Sequence, residues 1–130
     1  MKTYTIEPVS KPRMTQRDRF SKRPSVMKYW AYKAALRDLC VELPIPYKVT
    51  FFLAMPKSWS KKKRAQHVGM PHLQTPDKDN LEKGFLDALF DDDSHVWSGW
   101  TEKRWAETAH ITVERMPPTM QDIARKHGAR

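Results

Sequence analysis

The residues with the most chemical promise are acids. The run Asp77-Lys78-Asp79-Asn80-Leu81-Glu82-Lys83 opens an acidic stretch that closes on Asp91-Asp92-Asp93-Ser94. Asp77 and Asp79 flank a single residue, so in an extended lead-in to a helix their side chains project to the same side and can converge on one ion. Asp79 and Lys83 stand four apart, which sets them on one helix face. One of the acids at 91–93 can return to the pair through a bend after the helix. Carboxylates without sulfur or imidazole are hard oxygen ligands that suit Mg²⁺ or Mn²⁺ over zinc. A site of this kind lowers the pKa of a bound water and stabilises charge on a scissile phosphate. Lys83, one turn inside the helix, can hold a water or neutralise the charge developing on phosphorus.

Each of these residues also has a purely structural use. An acid at 77 or 79 caps a helix and favours its positive end. Asp79–Lys83 and Lys83–Asp87 can be surface pairs at i,i+4 spacing, and Asp91-Asp92-Asp93 can be a solvated turn. A calcium loop of the EF-hand type is excluded, because its sixth position requires glycine and counting from Asp77 puts Glu82 there. There is no glycine-rich phosphate loop, and no serine or cysteine arrangement suggests a nucleophile. The single cysteine, Cys40, excludes an internal disulfide and a cysteine-based zinc cage.

Charge points the same way. The chain carries 24 basic and 15 acidic residues, a net +9, yet seven of the acids lie between Asp77 and Asp93 with only Lys78 and Lys83 among them. The remaining 22 basic and 8 acidic residues leave the rest of the chain at +14. A body so basic attracts a polyanion, of which nucleic acid is the commonest. The acidic island would repel phosphate unless cations neutralised it.

Several elements must position these groups. Lys2 to Val9 is predicted as a strand with Tyr4 and Ile6 on one face. Ser10 to Arg23 is a basic loop, and its Lys11, Arg13, Arg17, Arg19, Lys22 and Arg23 are candidates for DNA contact. A helix is expected from about Ser25 to Val41, with Tyr29, Tyr32, Leu36, Leu39 and Cys40 as its apolar stripe and Pro44 and Pro46 ending it. Tyr47 to Met55 is a buried strand. Ser58 to His67 is a short basic helix, capped by Ser58 or Ser60, whose Lys61, Lys62, Lys63 and Arg64 are either a solvated face or phosphate contacts. A helix starting at Asp77 or Asp79 runs to about Phe90 and buries Leu81, Phe85, Ala88 and Leu89. Gly84 inside it costs about 1 kcal/mol relative to alanine, which suggests a close approach of backbone or DNA. His95 to Ala106 and Thr108 to Arg115 are expected to pair as a hairpin. Trp97, Trp100 and Trp105 there suit core packing or cross-strand pairs, or else stacking surfaces for unpaired bases. A short helix at 120–126 is expected in the basic tail. The alternating N-terminus does not look like a signal peptide, and no apolar run approaches the length of a membrane span.

At the acidic stretch the sequence resembles the RusA-type Holliday junction resolvases, a family common in phages and prophages. The resemblance rests on Asp77-Lys78-Asp79-Asn80-Leu81-Glu82-Lys83, then Asp87-Ala88-Leu89, then Asp92-Asp93-Ser94-His95-Val96, three segments in order and at compatible spacing. It implies that Asp77, Asp79 and Asp93 bind a catalytic Mg²⁺ and that Lys83 is the catalytic lysine. Because only Phe90-Asp91 separates the helix from the last acids, Asp92 is the alternative third ligand. It also implies a homodimer that nicks two strands of a four-way junction symmetrically. Neither the Lys57–Arg64 segment nor the tail belongs to the matched motif.

The expectation is therefore a single α/β domain over residues 1–115, a small mixed β-sheet of about four strands with two to three helices, followed by a basic tail at 116–130. Its function would be Mg²⁺-dependent hydrolysis of DNA at Holliday junctions or related branches, in recombination and repair, by a cytosolic enzyme of a bacterial host that carries the phage or prophage. Two alternatives stand beside it: a basic nucleic-acid-binding module that does not cut, and a nuclease of looser flap or fork specificity.

Overall fold

Proline, glycine and short polar turns cut the described residues into seven elements. The computed structural model describes residues 1–13 and 23–117. In order these are β1 (Lys2–Tyr4), α1 (Pro24–Asp38), β2 (Tyr47–Ala54), α2 (Lys61–His67), α3 (Lys78–Leu89), β3 (Gly99–Ala106) and β4 (His110–Arg115). The four strands form one mixed sheet in the order β1-β4-β2-β3, with β2 and β3 parallel and the other pairs antiparallel. The described residues thus make one small α/β domain of four strands and three helices.

Strand β2, rich in aromatic and β-branched residues, lies inside the sheet. Its Tyr47, Val49 and Phe51 are at most 2 % exposed. Helices α1 and α3 pack on each other and on the sheet through Tyr29, Tyr32 and Leu36 from α1 and Leu81 and Phe85 from α3. The Phe51 and Phe85 rings meet edge to face at 5.6 Å, a favoured aromatic geometry. Helix α1 starts on Pro24, whose fixed φ and missing N–H suit the first turn.

Several expectations need correction. The strand predicted for Lys2–Val9 stops at Tyr4, because Ile6 N–H turns back to Tyr4 O at 3.0 Å and Pro8 has no N–H to give. Ile6 and Val9 still pack against the core. Helix α1 ends at Asp38, ahead of the two prolines. Cys40 adopts a left-handed φ of 51° and its N–H closes on Arg37 O. Leu39 and Cys40 are consequently exposed rather than part of the stripe. Leu89 is only partly buried.

The expected hairpin is absent. β3 and β4 are separated by β2, which each of them pairs. The turn at 107–109 crosses the end of β2 to reach the far side. Three residues at about 3.3 Å each can bridge two strand spacings of about 4.8 Å. Trp105 is buried as expected, whereas Trp97 and Trp100 are 55 % and 42 % exposed, so neither is a core residue. The helix expected at 120–126 lies outside the described residues.

Candidate active site

Helix α3 begins where the acids begin. Asp77 is the N-cap residue, in an extended conformation, but its carboxylate accepts no capping hydrogen bond. Asp79 lies in the first turn and Lys83 follows one turn on; all three are exposed. The capping use of Asp77 is thus not realised. The i,i+4 pairs are not formed either. Asp87 instead accepts from Lys11 Nζ at 2.5 Å and from Tyr29 Oη at 3.2 Å, and among the described residues Asp77, Asp79 and Lys83 enter no ion pair.

The start of the helix is held from two sides. Lys103 of β3 donates to the carbonyls of Gln74 (2.6 Å) and Pro76 (2.8 Å), and Lys11 N–H donates to Asn80 O at 3.1 Å. Asp77 and Asn80 line an open cleft together with Glu7, Lys28 and Leu53. Gly84 explains the approach of the N-terminal segment. A Cβ there would lie 3.1 Å from the Tyr29 ring, 3.3 Å from Val9 O and 3.4 Å from Lys11 N. The close approach anticipated at Gly84 is therefore made by the Tyr29 ring and the backbone of the N-terminal segment.

A second cleft opens further along α3, between that helix and the starts of β2 and β3. Tyr47, Glu82, Asp93, Trp97 and Gly99 line it. One oxygen of Glu82, Oε2, accepts both the Tyr47 hydroxyl and the Thr101 hydroxyl, which ties α3 to β2 and β3 at once. Burial pushes the Tyr47 phenol well above its usual range. The hydrogen bond to Glu82 and the charges of Glu82 and Asp93 push the same way, while the Thr101 bond opposes them. Asp93 thus acts on the phenol through space.

The neighbouring acid, Asp92, is used locally. Its Oδ1 accepts Ser94 N–H at 2.9 Å, a bond that holds the Asp92 carboxyl below its ordinary value. Asp93 lines the cleft, and its carbonyl closes the next turn by accepting Val96 N–H at 2.9 Å. Asp77 and Asp93 open onto separate clefts. Among the described residues no three His, Cys, Asp or Glu side chains gather closely enough to enclose a metal ion.

The donor chemistry nevertheless fits a hard dication. Mg²⁺ keeps several waters and takes one or two protein carboxylates plus substrate phosphate rather than an all-protein cage. Asp77 and Asp79 supply uncommitted carboxylates of that kind.

The basic candidates separate by what they touch. Lys11 is committed to Asp87. Arg13 is exposed and its carbonyl accepts from Arg23, which stands at the N-cap of α1. Arg17, Arg19 and Lys22 lie outside the described residues. On α2, Ser60 is the cap, accepting Lys63 N–H at 3.2 Å. Lys61 and Lys62 are exposed, and Lys63 Nζ sits 4.2 Å from the centre of the Trp59 ring. Arg64 binds the carbonyls of Trp59 and Pro56 and the carboxylate of Glu107, so it anchors the helix.

Glu82, Tyr47, Thr101 and Gly99 were not anticipated as site residues. Glu82 was findable: it lies three residues after Asp79 inside the acidic island, on the same helix face. The other three depend on the parallel pairing of β2 with β3, which no local pattern announces. Among the described residues no helix is long and apolar enough to cross a membrane. A family model described as Endodeoxyribonuclease RusA matches residues 6–115. No curated protein matches the chain.

Proposed function

Since the chain belongs to the RusA endodeoxyribonuclease family, whose members resolve Holliday junctions, we propose that it is a Mg²⁺-dependent endodeoxyribonuclease that cuts Holliday junctions and related branched DNA by paired symmetric nicks. The observation that carries this reading is the start of α3. Asp77 and Asp79 hold exposed carboxylates with no structural partner among the described residues, and Lys83 lies one turn inside.

Asp77 and Asp79 would hold the magnesium; Asp93, or Asp92 as its alternative, is the third acid that the family resemblance implies, and it would have to approach from the neighbouring cleft. Bound there, the ion supplies an activated water and charge stabilisation at the scissile phosphate. Lys83 is free to meet charge developing on the phosphoryl oxygens, because it carries no ion pair on its own helix. Lys103 and Lys11 keep the start of the helix in place, so its acids need little reorganisation when DNA arrives. Lys61 and Lys62, with the basic residues of the N-terminal segment, hold the DNA arms through their phosphates. Two copies acting as a homodimer in the cytoplasm of a phage-bearing or prophage-bearing bacterium would place one site on each of two strands of like polarity. Residues 1–115 form the nuclease domain in this reading and 116–130 a basic tail.

The test is cleavage of a synthetic four-way junction against a linear duplex of equal length, with Mg²⁺ or EDTA, by the wild type and Asp79→Asn. Symmetric paired nicks on the junction, abolished by EDTA and by the substitution while junction binding persists, are the expected result. Tight junction binding with no cleavage of any branched substrate would overturn it.

A further inference from the structure

Trp97 is 55 % exposed, the most exposed of the five tryptophans. Its indole finds no ring partner and no hydrogen bond among the described residues. Trp100, by contrast, donates to Glu102 at 3.0 Å, Trp59 packs at a tilt against Trp105 with ring centroids 4.8 Å apart, and Trp105 is buried. Folding alone gives little reason to leave so large an apolar face in water.

Its position is specific. Trp97 lines the same cleft as Asp93, four residues earlier, and the Val96 N–H to Asp93 O bond closes the turn between them. Two residues later the chain enters β3 at Gly99, opposite Tyr47. The backbone at 97 is therefore fixed relative to Asp93 by a closed turn at one end and a sheet register at the other.

We propose that Trp97 is a stacking platform for an unpaired nucleobase at the branch point of the DNA. The inference rests on the branched-DNA reading of the site. Among the groups lining this cleft, the acids Glu82 and Asp93 disfavour a bare phosphate; of its two aromatic rings, Tyr47 is buried and tied to Glu82, whereas Trp97 is exposed. A base presents a neutral π-face, is freed from its stack at a branch, and gains from an aromatic partner whatever its identity. Trp97 thereby distinguishes branched from continuous duplex, in which no base face is available.

The test uses a four-way junction carrying 2-aminopurine at the branch point, titrated with the full chain in EDTA so that no strand is cut. The wild type quenches the probe. Trp97→Ala abolishes the quench and weakens junction binding between about 5-fold and 150-fold, leaving affinity for linear duplex unchanged. Trp97→Tyr retains the quench, and Trp30→Ala, on α1 beside a separate cleft, does not alter it. A quench that persists in Trp97→Ala, or is absent from the bound wild type, overturns the proposal. Magnesium-dependent nicking of the same junction by the wild type is scored separately: nicking without the quench removes the stacking role alone, and a quench without nicking removes the nuclease reading alone.

Discussion

Gly99 and Tyr47 face each other in the β2–β3 register, and the tyrosine ring occupies the space a side chain at 99 would need: a Cβ there would overlap Tyr47 Cζ. The missing side chain lets the phenol reach Glu82 across the cleft. Gly99→Ala is therefore expected to displace the ring and cost about 1–3 kcal/mol, the range for overpacking, measured by urea denaturation. In a double-mutant cycle with Tyr47→Ala, the alanine at 99 should cost little, because the clashing ring is gone. An undiminished cost in that background would show that the ring is not the cause.

The elements that carry the candidate site were legible because their signals are local. The two-residue offset of Asp77 and Asp79, the apolar stripe through Leu81 and Phe85, and the β-branched and aromatic run at 49–52 each declare one helix or strand without reference to the rest of the chain. What was missed is non-local. Two runs joined by a short turn, such as 95–106 and 108–115, suggest a hairpin, and only the insertion of β2 between them reveals a crossing. The helix end at Asp38 depends on Cys40 taking a left-handed conformation that cysteine rarely adopts. The commitment of Lys11 to Asp87 and of Arg64 to three oxygens likewise follows from tertiary proximity, so a basic run alone could not separate structural cations from those left free.

Removing the acceptor at Glu82 should hurt more than removing one donor. Tyr47→Phe deletes one hydrogen bond and is expected to cost about 1 kcal/mol. Glu82→Ala leaves both the Tyr47 and Thr101 hydroxyls without their acceptor, and each such loss costs about 1–3 kcal/mol when the group stays buried. Chemical denaturation of the two variants checks the order. Equal losses would mean that water replaces the carboxylate readily and that the tie between α3 and the sheet is weak.

On α2, neighbouring cations should divide by role. Arg64→Ala removes the bonds to Pro56, Trp59 and Glu107 and is expected to lower the melting temperature. The pair Lys61→Ala and Lys62→Ala should leave the melting temperature unchanged and reduce the slope of log affinity for DNA against log salt by about 1 for each phosphate that is no longer neutralised. Binding isotherms across a salt series measure that slope. A salt slope unaffected by the lysine pair would remove α2 from the DNA interface.

A pH effect is expected at His72. Its ring is 5 % exposed and lies 4.1 Å from Trp105, with Nδ1 lacking a hydrogen-bond partner. Burial lowers its pKa from 6.5, and the charge of Lys103 lowers it further, against smaller opposing backbone bonds. The unfolded chain then binds a proton that the folded chain refuses. Stability is complete above about pH 6.5 and falls as pH drops from there through the lowered folded value. The carboxyls held low by their partners, among them Glu42, Asp92 and Glu102, withdraw support only further down, below their ordinary values of 3.8 to 4.5. Melting temperature should therefore decline in the wild type as pH falls below about 6.5, before the carboxyls begin to titrate. His72→Phe, which fills the same place against Trp105 without a titrating nitrogen, should be flat over that interval. A decline of the same size in the variant would assign the acid sensitivity to another group.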